Sequence, residues 1–176
     1  MAREATAIGT RRGQSRSMLA AVASDEAGSK AWLLCRARKM VCALPIEHVV
    51  EVMRTLAVEQ FVGAPTFVRG LSIIRGVPVP VVDLGLILCG EGIRGALLVT
   101  IREGARTIAL AVDQVIGITK IEADAFGRLP PLLHNVAADT IAAIAALDGE
   151  LVVLLRAAWL VPEDVFARLD AEKTKP

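Results

Sequence analysis

The sequence predicts a mostly β fold, one or two small barrels with only short helices. Three observations carry this. About nine short apolar runs read as strands, separated at close intervals by turn signals rich in Gly, Pro or charge. No stretch alternates strand with long helix, which disfavours a doubly wound nucleotide-binding fold. The apolar fraction is 54%, mostly Ala, Val, Leu and Ile, with aromatics at 3% and no Tyr. Such side chains suit strands and their cores.

The elements follow in order. Residues 1–29 hold Ala, Arg, Ser and Gly without sustained periodicity and read as an N-terminal tail. Residues 31–35 and 40–44 are apolar runs around a basic turn at 36–39, a β-hairpin. Pro45 ends the second strand. Ile46, Val49, Val50 and Met53 then fall at i, i+3, i+4 and i+7, which predicts a short amphipathic helix with Glu47, His48, Glu51 and Arg54 off the stripe. Pro65 opens a short turn or helix that ends at Gly70. Residues 71–74 and 77–82 are strands around Arg75-Gly76; Pro78 and Pro80 cannot donate to a ladder, so the second strand is expected at an edge or with a bulge. Asp83 caps a turn through residues 84–88. Residues 96–101 and 107–112 flank a turn at Gly104, and residues 115–121 continue as a strand containing Gly117. Residues 126–135, with Pro130-Pro131, form a connector. Residues 141–147 and 150–155 flank Asp148-Gly149, the strongest two-residue hairpin signal in the chain. Pro162 suits the first turn of a closing helix through Leu169. One domain over 30–170, between tails 1–29 and 171–176, is the resulting organisation.

Several function classes are disfavoured. The chain has 176 residues, enough for one domain or two packed lobes but not for separate cofactor and substrate domains. Its net charge of +1 and scarce aromatics argue against a nucleic-acid platform. No apolar run reaches the ~18 residues of a membrane span. The apolar stretch 18–23 is shorter than the ~7–15 residues of a signal-peptide core. Three cysteines without a C-x-x-C fit neither a disulfide framework nor a zinc site, and His48 and His134 lack a second ligand at metal spacing. A reducing, cytoplasmic setting is therefore expected, with no metal or cofactor. Phosphate-loop, dinucleotide, zinc-protease and nucleophile-elbow motifs are absent, so no catalytic residue is assigned. Asp83 and Asp113 both end apolar strands and read as turn caps. Cys35 and Cys42 face each other across the first hairpin if its loop is Arg38-Lys39. Such a pair is either two buried thiols acting as small hydrophobes or a redox couple.

Two segments then carry a family pattern: VCALPIEHVVEV at 41–52 and PTFVRGLSIIRGVPVPVVDL at 65–84. They resemble the CheW-like domain of bacterial chemotaxis coupling proteins. Val49-Val50-Glu51-Val52 matches its V-x-E-[IV] element. Pro65, Phe67, Val68 and Gly70 match the next element, and Arg75-Gly76 with residues 80–84 match the third. ALAVDQV at 109–115 and DGELVVLL at 148–155 resemble its later segments. The chain departs from the pattern at Ile73, where Asn is usual, and at Gly85, where Arg is usual. Ala109 and Ala143 replace glycines, and Cys35 and Cys42 replace aromatics.

The resemblance implies two SH3-like five-stranded barrel lobes packed on a shared core. It implies a non-enzymatic adaptor that couples methyl-accepting chemoreceptors to a CheA-type histidine kinase. Alternatives are a divergent adaptor of an accessory chemosensory pathway, or, in a different class, a stand-alone ligand-binding β-barrel regulator. For the receptor it points to Val49, Glu51, Gly70, Arg75 and Gly76. In this reading Val49 and Val50 line a groove with Glu51 at its rim; otherwise the valines are core and Glu51 is only solvated. For the kinase-facing surface the sequence offers as candidates Gly117, Ile118 and the edge of the second lobe.

Overall fold

The computed structural model describes residues 29–60, 62–95, 97–122, 125–127 and 140–156, with residues 163, 166 and 167. The tail 1–28, most of the connector 128–135 and most of the expected closing helix lie outside these residues. Glu163, Phe166 and Ala167 are helical, as that expectation requires.

The strands are β1 (Ser29–Ala37), β2 (Met40–Pro45), β3 (Val49–Arg54), β4 (Val68–Ile74), β5 (Val77–Asp83), β6 (Leu97–Glu103), β7 (Arg106–Val112), β8 (Gln114–Glu122), β9 (Phe126–Gly127), β10 (Ile141–Leu147) and β11 (Glu150–Leu155), with one short helix, α1 (Leu84–Cys89), after β5. They form two sheets. The first runs β8-β1-β2-β11-β10-β9 and the second β3-β6-β7-β5-β4. The first sheet thus has six strands where five were expected. Among the described residues the end strands of neither sheet are hydrogen-bonded to each other, so the lobes are open versions of the expected barrels.

The two sheets repeat one plan. Each has an outer strand, an antiparallel hairpin, a parallel contact and a second hairpin. The parallel contacts are β2 with β11 and β7 with β5. The bulges repeat as well. Ile116 is the extra residue where β8 meets β1, and Val50 is the extra residue where β3 meets β6. Register also shifts around Ala142 in β10 and around Arg69 in β4. The second hairpins turn alike, Arg75-Gly76 at φ 51° and 80° and Asp148-Gly149 at 51° and 82°, the left-handed pair that a two-residue hairpin requires.

Strand alternation builds three cores. In β1, Leu33, Cys35 and Ala37 face the core shared by both sheets, while Trp32 and Leu34 face a core private to the first sheet. In β7, Ile108, Leu110 and Val112 join the shared core; Ala109 and Ala111 join a core private to the second sheet. Burial on both faces explains why these strands read as continuous apolar runs rather than as alternating ones.

Two expectations are corrected. Residues 46–53 are not a helix: Ile46–His48 form a single 3-10 turn, and β3 begins at Val49. An unbroken strand would put Val49 and Met53 on one face, as a helix would, so their spacing could not decide the matter; in the structure the extra Val50 turns Val49 to the shared core and Met53 to the second sheet's own core. Val50 and Val52, both exposed, break the helical stripe, and three valines in four residues favour the strand that pairs with β6. β5 is an interior strand rather than an edge. It tolerates its prolines because Ile74 and Val77 flank the turn, which puts Pro78 and Pro80 at non-hydrogen-bonded sites of the β4 ladder. On its other side the pairing with β7 starts only at Val81.

Candidate functional site

The second sheet carries the site. On β3 the bulge at Val50 interrupts alternation, leaving Val50 43% exposed and Glu51 beside it on the pleat. On the far side of the sheet the β4–β5 hairpin presents Arg75 at its tip. Gly76, at φ 80°, supplies the second left-handed position, and no other group approaches it. The two charges meet. Arg75 Nε donates to Glu51 Oε1 at 2.8 Å and its Nη2 to Oε2 at 2.6 Å. This is the two-pronged geometry that fits guanidinium to carboxylate. The Glu51 side chain is 22% exposed and that of Arg75 74%, so the pair lies across the surface with its cation outward. The hydrogen bonds and charge of Glu51 raise the Arg75 guanidinium above its ordinary value. Beneath the pair is a groove of about 170 Å³ lined by residues including Val50, Ile74, Val77 and Thr100. Of the apolar lining, Val50 and Val77 are exposed; Ile73, also exposed, lies on the opposite face of β4 from Ile74.

The structure sorts the residues expected from sequence. Glu51, Arg75 and Gly76 come together. Val49 does not line the groove: it is half-buried and packs against the shared core, and the groove residue is its neighbour Val50. Gly70 is buried at φ 139°, and a Cβ there would lie 2.1 Å from the Glu59 carbonyl oxygen. Its role is to let the Glu59 backbone pair with Leu71 through two 2.8 Å hydrogen bonds. Gly117 and Ile118 sit elsewhere, on β8 in the first sheet, opposite Leu34 and Leu33. Gly117 follows the exposed bulge residue Ile116, and Ile118 packs partly against the shared core. Sequence reasoning did not single out Thr100 or Ile116. A lone Thr among strand residues carries no signal, and a bulge is visible only once two strands are paired.

The two aspartates are structural anchors. Asp83, 2% exposed, accepts from the Leu86 and Ile93 amides and from Arg69 Nε. Asp113 accepts from the Arg94 and Gly95 amides and, at 2.7 Å, from the Arg38 amide in the first hairpin. That last bond ties the first sheet to the end of β7. Cys35 and Cys42 are register partners, both fully buried and free. No group of three His, Cys, Asp or Glu suited to a metal occurs among the described residues.

A family model described as the CheW-like domain matches residues 31–164. The chain belongs to this family. It is 22% identical to the chemotaxis protein CheW of Klebsiella aerogenes over 116 residues, 64% of this chain and 70% of that one. The CheW-like fold is seen in the crystal structure of the scaffolding protein TtCheW from Thermoanaerobacter tengcongensis, with a TM-score of 0.64. The likeness covers 73% of this chain and 89% of that one at 22% identity. The paired sheets described above are therefore the CheW-like architecture.

Proposed function

We propose that this chain is a chemotaxis adaptor, holding methyl-accepting chemoreceptors and a CheA-type histidine kinase on different faces of one rigid body. Membership of the CheW-like family supports the adaptor role. The observation that carries the receptor face is the meeting of Glu51 and Arg75 over an apolar groove. A receptor tip is a helical hairpin, and a helix docks by apolar contacts rimmed with charge. Val50 and Val77 supply the apolar contact over Ile74 and Val79; Glu51, Arg75 and Gly76 form the rim, with Val49 and Gly70 supporting it from behind. Gly117 and Ile118, on the other sheet, mark the side offered to the kinase. The adaptor acts in the cytoplasm, and no described helix is long and apolar enough to cross a membrane.

The two carboxylates that end apolar strands, Asp83 and Asp113, are committed to backbone amides. The test is binding of the Arg75→Glu chain, separately, to a receptor-tip fragment and to the kinase regulatory domain, with circular dichroism as a folding control. Receptor binding is expected to fall about tenfold or more, since reversal sets two carboxylates side by side. Kinase binding is expected to stay within about twofold. Equal weakening of both partners in a folded variant would show that the two-face reading is wrong.

A further inference from the structure

We propose that Thr100 is a positioning residue for the receptor face: its hydroxyl fixes the bulged backbone of β3 that aims Glu51 at Arg75. The inference rests on the reading of Glu51 and Arg75 as a receptor contact. Thr100 lies on β6 directly opposite Glu51 and is 1% exposed. Its Oγ1 donates to the Glu51 carbonyl oxygen at 3.1 Å. That bond is made at the residue where β3 returns to register after the extra Val50. A bulge bends its strand and redirects the next side chain, and Glu51 must point so that both carboxylate oxygens reach Arg75. The bond therefore sits where a small backbone rotation would most disturb the pair.

The neighbours of Thr100 on β6 are Leu98, Val99 and Ile101, all buried apolar side chains. Valine has nearly the shape of threonine and suits a strand equally well. What threonine adds is a donor. The first sheet provides an internal control. Its β8 bulge at Ile116 sets Gly117 opposite Leu34, where the second sheet sets Glu51 opposite Thr100. The bulge in the first sheet forms with neither hydroxyl nor carboxylate. The hydroxyl is thus not needed to make a bulge; it accompanies the bulge that carries a charge to be aimed.

The experiment uses the full chain with Thr100→Val, Thr100→Ser, Glu51→Ala and the double variant Thr100→Val with Glu51→Ala. Three quantities are measured: affinity for a receptor-tip helical hairpin fragment, affinity for a CheA-type regulatory domain, and the NMR resonance of the Arg75 Nε–H. Thr100→Val should lower receptor affinity about threefold to tenfold, the size of one lost buried hydrogen bond. Kinase affinity should stay within about twofold, and Thr100→Ser, which keeps the donor, should bind receptor like the parent. The Arg75 resonance of Thr100→Val should move toward its position in Glu51→Ala. In the Glu51→Ala background the valine should add no further loss. The proposal is overturned if Thr100→Val leaves receptor binding unchanged, weakens both partners equally, or costs the same factor with and without Glu51. If Thr100→Val does not fold, Thr100→Cys, which puts a poor donor in place of the hydroxyl, takes its place under the same criteria. Glu51→Ala with undiminished receptor affinity would instead overturn the reading of the face, while the Arg75 resonance would still report whether Thr100 orients Glu51.

Discussion

Cys42 shows how much the placement of one side chain decides. It is fully buried beside Cys35. A hydrogen bond with the Cys35 side chain, and then burial, push its thiol well above the ordinary value. The folded state therefore holds a proton that the unfolded chain gives up. Stability from this group is complete below the ordinary thiol range, near pH 8.5, and falls as pH rises above it by up to about 1.4 kcal/mol per pH unit. Urea denaturation at pH 8 and pH 10 in reducing buffer should show that fall in the parent. A Cys42→Val chain should lose less over the same interval; an equal loss would rule the assignment out. At pH 7 the same substitution should cost less than about 1.5 kcal/mol, since it keeps an apolar side chain of similar size. Asp83 is buried as well, and Arg69 and two amides depend on its carboxylate. Asp83→Ala leaves all three without their acceptor and should destabilise by about 3 kcal/mol. A loss below about 1 kcal/mol in chemical denaturation would mean that water replaces the carboxylate freely.

At the scale of elements, the hairpins were legible because their turns are chemically explicit. Arg75-Gly76 and Asp148-Gly149 put glycine where the second left-handed residue must stand. β3 is not legible in the sequence because the spacing of Val49 and Met53 suits a helix and an unbroken strand alike, while the bulge at Val50 that puts them on opposite faces appears only against the partner strand β6. The partnership of Glu51 with Arg75 was not legible locally. Each residue was expected at a receptor site, but nothing in either neighbourhood says that the β4–β5 turn reaches back to β3. The β4–β5 hairpin also separates two uses of glycine. Gly70 has a left-handed backbone and the Glu59 carbonyl where a Cβ would go; Gly76 has the left-handed backbone alone. Gly76→Ala should cost about 1–2 kcal/mol, the backbone term. Gly70→Ala must in addition push the Glu59 segment off β4, and its midpoint should fall further, by at least about another 1 kcal/mol. Equal midpoints for the two variants in thermal denaturation would mean that the Glu59 bridge contributes nothing.

At the scale of the molecule, chain order and space disagree in an informative way. The second sheet is built from one continuous stretch, β3 to β7, while the first takes β1 and β2 from before it and β8 to β11 from after it. The second sheet is thus an insertion in the first, and residues 46–113 look like a unit that ought to fold alone. The packing says otherwise. Val82, Leu84, Val99, Ile101, Ile108, Leu110 and Val112 face the core shared with the first sheet, and the Arg38 amide bonds to Asp113 across the junction. A fragment 46–113 would expose that whole apolar face. At roughly 1.5–3 kcal/mol for each large side chain uncovered, the loss is on the order of 10 kcal/mol. That is as much as the entire stability of a typical domain, about 5–15 kcal/mol. The isolated fragment should therefore show no cooperative thermal transition and should bind a hydrophobic dye, while the full chain unfolds in one step, seen identically by far-ultraviolet dichroism and, in a Trp159→Phe chain, by the fluorescence of Trp32 in the first sheet. A sharp transition in the fragment, or two separated transitions in the full chain, would show that the lobes are independent. An adaptor that must transmit a rearrangement from one face to the other needs the single-step result, because two lobes free to move separately would absorb at their junction the displacement they are meant to pass on.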